Sequence, residues 1–208
     1  MTKLPIDVHF IDKPNNPFCR AFLNSIKQAP VYLYQVEHIP GNTAKAREKG
    51  FALGKEKYIT YIDPDDLVAL DIFTRLFEYM EDNPTLVGVC SDELIISEEG
   101  DIVSPGWSSH PEKFQTGWFA QYLPLFKVQG IYQHHINLIK REAYEACLPL
   151  QTKRVPEPVM MHQLATLGPL ARLPQIGYYW RLNQNSTCLT YTPQELEEAL
   201  GIIKKMEE

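Results

Sequence analysis

The residues best suited to chemistry form an acidic cluster, Asp63-Pro64-Asp65-Asp66, directly after the apolar segment Tyr58–Ile62. Three carboxylates within four residues repel one another, and a bound cation relieves that repulsion. Carboxylate oxygens suit Mg²⁺ or Mn²⁺, which usually share their coordination with substrate phosphates. Aspartates are also common in solvated turns and at helix N-termini, so the cluster alone leaves both interpretations open.

The segments around this cluster alternate between strands and helices. Tyr58–Ile62 is β-branched and aromatic throughout, which is typical of a buried strand. Gly41-Asn42-Thr43 predicts the start of a helix that ends at Gly54. Such alternation predicts an α/β sheet whose ligands bind beyond the carboxyl ends of the strands, where the cluster lies. The other predicted strands are 6–11, 31–36, 86–91, 94–97 and 171–182; the other predicted helices are 18–28, 70–81, 159–167 and 193–208, and 136–146 passes from strand into helix.

A longer pattern surrounds the acidic cluster. A glycine turn at Gly41, the pair Ala46-Arg47, Gly50 and the strand Tyr58–Ile62 precede it in that order. This order resembles the core signature of family 2 glycosyltransferases. The resemblance implies a single GT-A (Rossmann-like) α/β domain with a mixed, mostly parallel sheet flanked by helices. It also implies a nucleotide-diphosphate sugar donor, with a UDP-sugar expected, and a divalent metal, Mn²⁺ or Mg²⁺, that bridges the donor phosphates.

The resemblance assigns roles to individual residues. Asp65 and Asp66 would reach the metal, Asp63 would reach the ribose or the donor sugar, and Arg47 would lie on the nucleotide side. On the residues alone, Arg47 is equally well explained as a solvated helix arginine.

A second match lies in residues 156–187. It resembles the family segment that opens with Glu-Asp, runs through a helix and closes with a Tyr-Tyr-x-Arg strand, here Tyr178-Tyr179-Trp180-Arg181. The alignment places Glu157 at the family's catalytic carboxylate, with Pro156 in place of the preceding acid. A carboxylate there deprotonates the acceptor hydroxyl. The alternative is a helix N-terminal glutamate that the helix dipole favours.

The chain departs from the family pattern at several positions. Glu48 stands where the family often has Asn, and Asn183 stands where a histidine commonly completes the metal site. The Asp-rich turn after the second strand is missing. Glu37, which follows that strand, is therefore the predicted nucleotide-base contact, and Asp12 at the end of the first strand is a second candidate.

The acceptor side has weaker signals. Residues 104–133 match nothing in the family and are rich in aromatic residues. Trp107 and Trp118 each lie beside a glycine, and they are predicted to stack on an acceptor sugar or nucleobase, although core packing is the alternative for most aromatics. His135 is a further acceptor candidate. Because His134 and His135 are adjacent, a strand would point them to opposite faces, and at most one faces the site.

Charge is unevenly distributed along the chain. The net charge is −6, made of −7 over residues 1–104, +4 over 105–192 and −3 over 193–208. The basic middle segment suits a DNA backbone, and Arg181 is also predicted to contact the acceptor. Compact family members resembling this chain occur in phages, so a hydroxylated base in DNA and a bacterial glycan are both candidate acceptors. The basic residues of this segment considered for DNA are Lys127, Lys140, Arg141, Lys153, Arg154, Arg172 and Arg181.

Length and composition predict one domain over 1–208, with a nucleotide-sugar half (1–104), an acceptor half (105–192) and a C-terminal helix (193–208). No apolar run approaches the roughly 20 residues of a membrane span, and the N-terminus reads as a strand, so a soluble cytoplasmic protein is expected. The four widely spaced cysteines predict reduced thiols.

The predicted function is metal-dependent, inverting transfer of a sugar from a nucleotide-diphosphate donor to a hydroxyl. Two alternatives stay open. A nucleotidyltransferase would normally show a Gly-rich basic loop near the first strand, where this chain has Asp12-Lys13-Pro14-Asn15-Asn16. A non-catalytic GT-A-like binding module would tolerate the departures from the family pattern.

Overall fold

In the computed structural model, which describes residues 2–106, 123–133, 135–183 and 190–208, strands and helices alternate as the sequence predicts. The chain-order elements are β1 (Ile6–Asp12), α1 (Cys19–Ile26), β2 (Tyr32–Glu37), α2 (Thr43–Phe51), β3 (Tyr58–Ile62), β4 (Leu67–Val68), α3 (Ile72–Asp82), β5 (Gly88–Ile96), β6 (Ile102–Pro105), α4 (Leu123–Phe126), β7 (Lys127–Val128), β8 (Ile131–Tyr132), β9 (Asn137–Lys140), α5 (Arg141–Glu145), α6 (Pro156–Leu167), β10 (Leu170–Arg181) and α7 (Pro193–Glu207).

One mixed sheet organises the described residues. Its eight strands follow the order β2-β1-β3-β9-β5-β10-β4, with β6 paired to β5. β1 pairs in parallel with β2 and β3, and β5 pairs in parallel with β10. β9 lies antiparallel between β3 and β5, so β1, β2, β3, β5 and β10 all run in the same direction. The predicted mixed sheet of an α/β fold is confirmed.

Helices cover both faces of the sheet, and β3 shows how the residues are divided. Tyr58 and Ile62 belong to the hydrophobic cluster that includes α1 and α3. Ile59 and Tyr61 belong to the cluster that includes α2, α5 and α6. Successive strand residues point to opposite faces, so an uninterrupted apolar strand such as β3 fills two cores at once. Tyr61 is thereby directed toward α2 and α6.

The two helices that matter most for the site begin at defined signals. α2 starts at Asn42, whose side-chain oxygen accepts a hydrogen bond from the Lys45 backbone N–H at 3.0 Å. α6 starts at Pro156, with Glu157 in its first turn. Proline suits the first helical turn because the backbone N–H there has no partner within the helix. Both helices pack on the same face of the sheet, so their N-terminal halves approach one another.

Two predicted strands form a single strand. Residues 86–91 and 94–97 were expected to form two strands, but β5 is continuous from Gly88 to Ile96. The polar pair Asp92-Glu93 does not interrupt it. Asp92 forms a two-pronged ion pair with Arg172 on the neighbouring β10, and the side chain of Glu93 is fully buried. The sheet thus accommodates both acids within the strand.

Strands from the second half of the sequence complete the sheet of the first half, because β9 and β10 pair with β3 and β5. The C-terminal helix α7 packs on α6 through Leu196, Ala199 and Ile203. Among the helices in the described ranges, none combines the length and apolarity needed to cross a bilayer.

Candidate active site

A cavity of about 590 Å³ opens at the carboxyl ends of β1 and β3. This is the edge of the sheet where the acidic cluster was predicted to bind a ligand, and the volume falls within the range of small-molecule sites. The polar and aromatic residues that line it are Lys13, His38, Arg47, Tyr61, Asp63, Asp65, Asp66, Gln133, His135, Asn137, Arg154, Glu157, Asn183 and Tyr191, among others.

Arg47 connects two carboxylates that line the cavity, Asp63 and Glu157. Its Nη2 donates to Asp63 Oδ1 at 2.6 Å, and its Nε donates to Glu157 Oε1 at 3.0 Å. The guanidinium also lies over the ring of Tyr61, with Cζ 3.9 Å from the ring centroid. Arg47 is buried, so these contacts hold its charge between two carboxylates away from solvent. The alternative of a solvated helix arginine is therefore excluded.

The two carboxylates respond differently to this shared partner. Burial on its own would raise the pKa of Asp63, but Arg47 and His135 outweigh it and lower that pKa to about 2. Burial raises the pKa of Glu157 above its usual value, although Arg47 acts in the opposite direction. The low pKa favours the ionised form of Asp63, while Glu157 has the greater affinity for a proton. A proton acceptor beside a fixed anion is an arrangement that acid–base chemistry uses.

Asp65 faces the same cavity from the turn after β3. Its Oδ2 accepts a hydrogen bond from Asn183 Nδ2 at 2.8 Å. Burial and the neighbouring Asp63 raise the pKa of Asp65, so a cation would stabilise its ionised form. Within the described residues, no three Asp, Glu, His or Cys side chains converge to hold a metal ion. The carboxylate oxygens of this turn fit an Mg²⁺ or Mn²⁺ ion that takes its other ligands from phosphate and water. They do not fit a metal site in which the protein supplies every ligand.

His135 also lines the cavity. Its Nε2 is 3.6 Å from Asp63 Oδ2, and its ring stacks on Tyr178 with 4.6 Å between centroids. The ring also meets Tyr61 edge-on at 5.7 Å. His135 was predicted to contact the acceptor, and these neighbours place it beside Asp63, the predicted donor contact.

Sequence comparison identifies the family to which these residues belong. The profile described as "Glycosyl transferase family 2" matches residues 2–148. This chain belongs to glycosyl transferase family 2. The match includes Arg47 and the whole acidic cluster, whereas Glu157 and Asn183 lie beyond it. No curated protein shows significant similarity to the sequence.

Solved structures show the same fold. S. aureus TarS residues 1–349 in complex with UDP-GlcNAc superposes with a TM-score of 0.70 at 10% identity, covering 99% of this chain and 66% of that one. The UDP complex of the same fragment gives 0.67 at 10% identity, covering 99% and 65%. The predicted GT-A fold is confirmed. This family 2 chain spans less than two thirds of the TarS fragment.

The contacts of Asp66 differ from those predicted for a metal ligand. Its Oδ2 accepts a hydrogen bond from the Tyr178 hydroxyl at 2.6 Å, and its Oδ1 accepts one from the Arg181 backbone N–H at 2.6 Å. Burial and the nearby Asp65 and Asp63 raise the pKa of Asp66 well above its usual value. Both oxygens of Asp66 thus attach the acidic turn to β10, and its role as a metal ligand stays a prediction; Asp65 faces the cavity with one oxygen hydrogen-bonded to Asn183.

Arg181 also differs from its prediction as an acceptor contact. Its guanidinium donates to the backbone carbonyls of Asp65 at 2.8 Å, Ser97 at 3.0 Å and Glu98 at 2.6 Å. The side chain is buried and lies over the ring of Phe18, with Cζ 4.8 Å from its centroid. Arg181 therefore fixes the backbone of the acidic cluster and has no surface to offer an acceptor.

Asp12 and Glu37, the predicted nucleotide-base contacts, are paired opposite each other at the ends of β1 and β2. Neither lines the cavity, whereas Ile11, Lys13 and His38 beside them do. Strand alternation explains the difference, because each predicted residue is one position away from the face that points into the site. Asp12 instead accepts a hydrogen bond from Gln35 Nε2 at 2.7 Å. The structure thus does not bring Asp12 or Glu37 to the cavity.

The remaining acceptor predictions concern two tryptophans and seven basic residues. Trp107 and Trp118 lie outside the described residues. Of the seven basic residues considered for a DNA backbone, five are engaged within the protein. Lys140 bonds the Pro84 carbonyl, Arg141 pairs with Asp7, and Arg172 pairs with Asp92. Arg154 bonds Thr190 Oγ1, and Arg181 is engaged as above.

The cavity residues that sequence reasoning missed include Lys13, His38, Gln133 and Asn137. Lys13 and His38 are each one position past a residue that was selected, so the strand period could have found them. Gln133 and Asn137 belong to no motif. They reach the site because β9 inserts between β3 and β5, a pairing that local sequence patterns do not encode.

Proposed function

We propose that this family 2 chain transfers a sugar from a nucleotide-diphosphate donor to a hydroxyl group. The observation that carries the proposal is the pair of carboxylates, Asp63 and Glu157, that Arg47 holds in a single cavity. One is kept anionic and the other is able to accept a proton, as a displacement at an anomeric carbon requires.

The reaction is a direct displacement. The acceptor oxygen forms a bond to the anomeric carbon while the bond from that carbon to the donor phosphate oxygen breaks. The acceptor proton passes to Glu157, and the nucleoside diphosphate leaves with the bonding electrons. A single displacement from the opposite side inverts the anomeric configuration.

The other residues bind and orient. Asp63 accepts hydrogen bonds from hydroxyls of the ribose or the donor sugar, and Arg47 positions Glu157 by holding one of its oxygens. Asp65 would hold a divalent metal, with Mn²⁺ or Mg²⁺ supplying the positive charge that stabilises a departing diphosphate. Asn183 fixes the orientation of Asp65 through its 2.8 Å hydrogen bond.

A UDP-sugar is the proposed donor. The likeness to a fold solved with UDP-GlcNAc and with UDP supports this class, as does the family membership. For the acceptor we propose a glycan hydroxyl over a base in DNA. A DNA backbone requires a row of available cations, and five of the seven considered are engaged in internal contacts.

The test is the melting temperature of the protein with UDP and with UDP-sugars, with and without Mn²⁺. A ligand that binds the native state at 100 times its Kd adds about 2.7 kcal/mol of stability. We expect a Mn²⁺-dependent increase that Asp65→Ala abolishes. Asp71→Ala is the matched control, because Asp71 pairs with Arg75 on the protein surface and lies outside the cavity. No increase with any nucleotide at millimolar concentration would refute the proposal.

The two alternatives give different results in the same samples. A non-catalytic binding module would bind a UDP-sugar without ever releasing UDP. A nucleotidyltransferase would bind UTP with a sugar phosphate and release pyrophosphate. Release of UDP from a UDP-sugar distinguishes the proposed transferase from both.

A further inference from the structure

Gln133 is a cavity residue for which the mechanism above has no use. It follows the β7–β8 hairpin, and its side chain is buried, with the residue only 2% exposed. Its backbone N–H donates to the Phe126 carbonyl at 2.7 Å, which ties it to the end of α4. The residue thus lines the cavity from a fixed backbone position.

The hairpin that carries Gln133 is itself anchored. Its turn residues Gln129 and Gly130 have positive φ angles of 52° and 85°, as a tight hairpin turn requires. The Gln129 side chain donates to the Ala165 carbonyl at 3.3 Å and accepts from the Leu170 backbone N–H at 3.0 Å. These bonds attach the hairpin to the end of α6 and the start of β10. The backbone that carries Gln133 is therefore fixed before a ligand binds, which reduces the conformational entropy lost on binding.

The amide of Gln133 has no hydrogen-bond partner among the described residues, at either Oε1 or Nε2. Buried amides are nearly always hydrogen-bonded, because leaving one unpaired sacrifices its hydration. Gln133 lines the cavity, and its unpaired amide is therefore suited to a ligand that reaches it from there. The ligand must offer an acceptor to Nε2 and a donor to Oε1.

We propose that the Gln133 amide binds adjacent hydroxyl groups of the donor sugar ring and thereby selects the sugar; this proposal rests on the proposed function. Each hydroxyl both donates and accepts, so a neighbouring pair satisfies the amide completely. A diphosphate offers acceptors alone and would leave Oε1 facing negative charge. An apolar group would leave both atoms unpaired.

The position of Gln133 favours the donor sugar over the acceptor. It lies two residues before His135, whose Nε2 is 3.6 Å from Asp63. It also lines the same cavity as Asp63 and Glu157. The group that binds between Asp63 and Glu157 in the proposed reaction is the transferred sugar.

The test uses the full chain with Gln133→Met, which keeps the length of the side chain and removes both polar atoms. Binding of UDP-glucose, UDP-galactose and UDP is measured by calorimetry in the presence of Mn²⁺. Two hydrogen bonds correspond to an expected loss of about 10- to 100-fold in affinity for the preferred UDP-hexose. Affinity for UDP should stay within about twofold of the wild type, because UDP has no hexose to bind.

Gln163→Met is the matched control. Gln163 on α6 also has a buried, unpaired Oε1 but does not line the cavity, so binding of all three nucleotides should be unchanged. The melting temperature of unliganded Gln133→Met should equal or exceed that of the wild type, because an unpaired buried amide contributes no stability. A lower melting temperature would show that the amide bonds within the protein, and would overturn the proposal.

Unchanged affinity for both UDP-hexoses in a folded Gln133→Met protein would also overturn it. If UDP binding fell in parallel with UDP-hexose binding, the residue would contact the nucleotide, and the sugar assignment would be wrong. Failure of the wild-type protein to bind any of the three nucleotides would refute the proposed function itself. The two failures are therefore distinguishable.

Discussion

Asp63 and Glu157 accept hydrogen bonds from two nitrogens of the same guanidinium, that of Arg47, at 2.6 Å and 3.0 Å. One carboxylate follows a strand of the sheet and the other begins a helix, and Arg47 reaches them both from α2. This bridge holds Asp63, the proposed donor contact, and Glu157, the proposed base, on the same guanidinium. It also makes the protonation of Glu157 sensitive to Arg47, which leads to a prediction about pH.

The rate of UDP release from the donor should fall at acidic pH as Glu157 becomes protonated, which gives the pH profile an acidic limb. Burial raises the pKa of Glu157 above the usual value of 4.5, and a base acts only when deprotonated. Activity is therefore present above the raised pKa and is lost as pH falls through it. The measurement is kcat/KM for UDP release from a UDP-sugar as a function of pH, and the midpoint of the limb should lie above 4.5.

Arg47→Lys tests the cause of this limb. Lysine keeps the charge but cannot hold both carboxylates in the fixed geometry of a guanidinium, so the favourable interaction with ionised Glu157 weakens. The limb should move to higher pH. A limb at or below 4.5 in the wild type, or no movement in Arg47→Lys, would contradict the assignment of Glu157.

Tyr178→Phe should destabilise the protein by about 1–3 kcal/mol, because the change leaves a buried carboxyl oxygen without its partner. The Tyr178 hydroxyl donates to Asp66 Oδ2 at 2.6 Å, and the Asp63 backbone N–H donates to it at 3.4 Å. Thermal unfolding measures the loss. Tyr179→Phe, at a partly exposed neighbouring position, serves as the control and should unfold as the wild type does. Equal melting temperatures for the two variants would show that the acidic turn does not depend on β10.

Two glycines should respond oppositely to replacement by alanine. A Cβ at Gly50 would lie 2.2 Å from Cδ2 of His9, so Gly50→Ala should cost about 1–3 kcal/mol through overpacking. Gly201 lies within α7 with nothing within 4 Å of an added Cβ. Gly201→Ala should add roughly 0.5–1 kcal/mol, because alanine favours a helix interior. Denaturant unfolding of both variants measures the difference, and destabilisation of similar size at both would refute the packing argument at Gly50.

Local patterns were sufficient to predict the position of the acidic cluster. The apolar strand Tyr58–Ile62 and the helix after Gly41-Asn42-Thr43 are specified by short stretches of sequence. The strand occurs as predicted, and the helix begins as predicted but ends at Phe51, before the expected Gly54. Strand period and helix capping need no distant information. Glu157 was selected through the family resemblance, and it lies in the first turn of α6, which begins three residues before the predicted start at Val159.

Long-range contacts explain what the sequence could not predict. Arg47 and Glu157 are 110 positions apart, and nothing near either residue indicates their hydrogen bond. From the sequence alone, Arg181 is interpreted as a cation that can contact a ligand. In the structure its guanidinium donates to three backbone carbonyls from turns far away in sequence. The ligand-binding function proposed for Gln133 depends on an unpaired amide, a property that exists only once the cavity is formed.

The most direct test of the proposed function compares Glu157→Gln with the wild type in a single assay of UDP release from a UDP-sugar, supported by calorimetric binding of the same donor. Loss of a general base should lower kcat by about 10²- to 10⁴-fold. Donor affinity should remain close to that of the wild type, because Arg47 and Asp63 still form one side of the cavity. Glu145→Gln, on the exposed side of α5, is the control and should retain full turnover. A Glu157→Gln protein that binds the donor and releases UDP at the wild-type rate would contradict the assignment of Glu157 as the catalytic base.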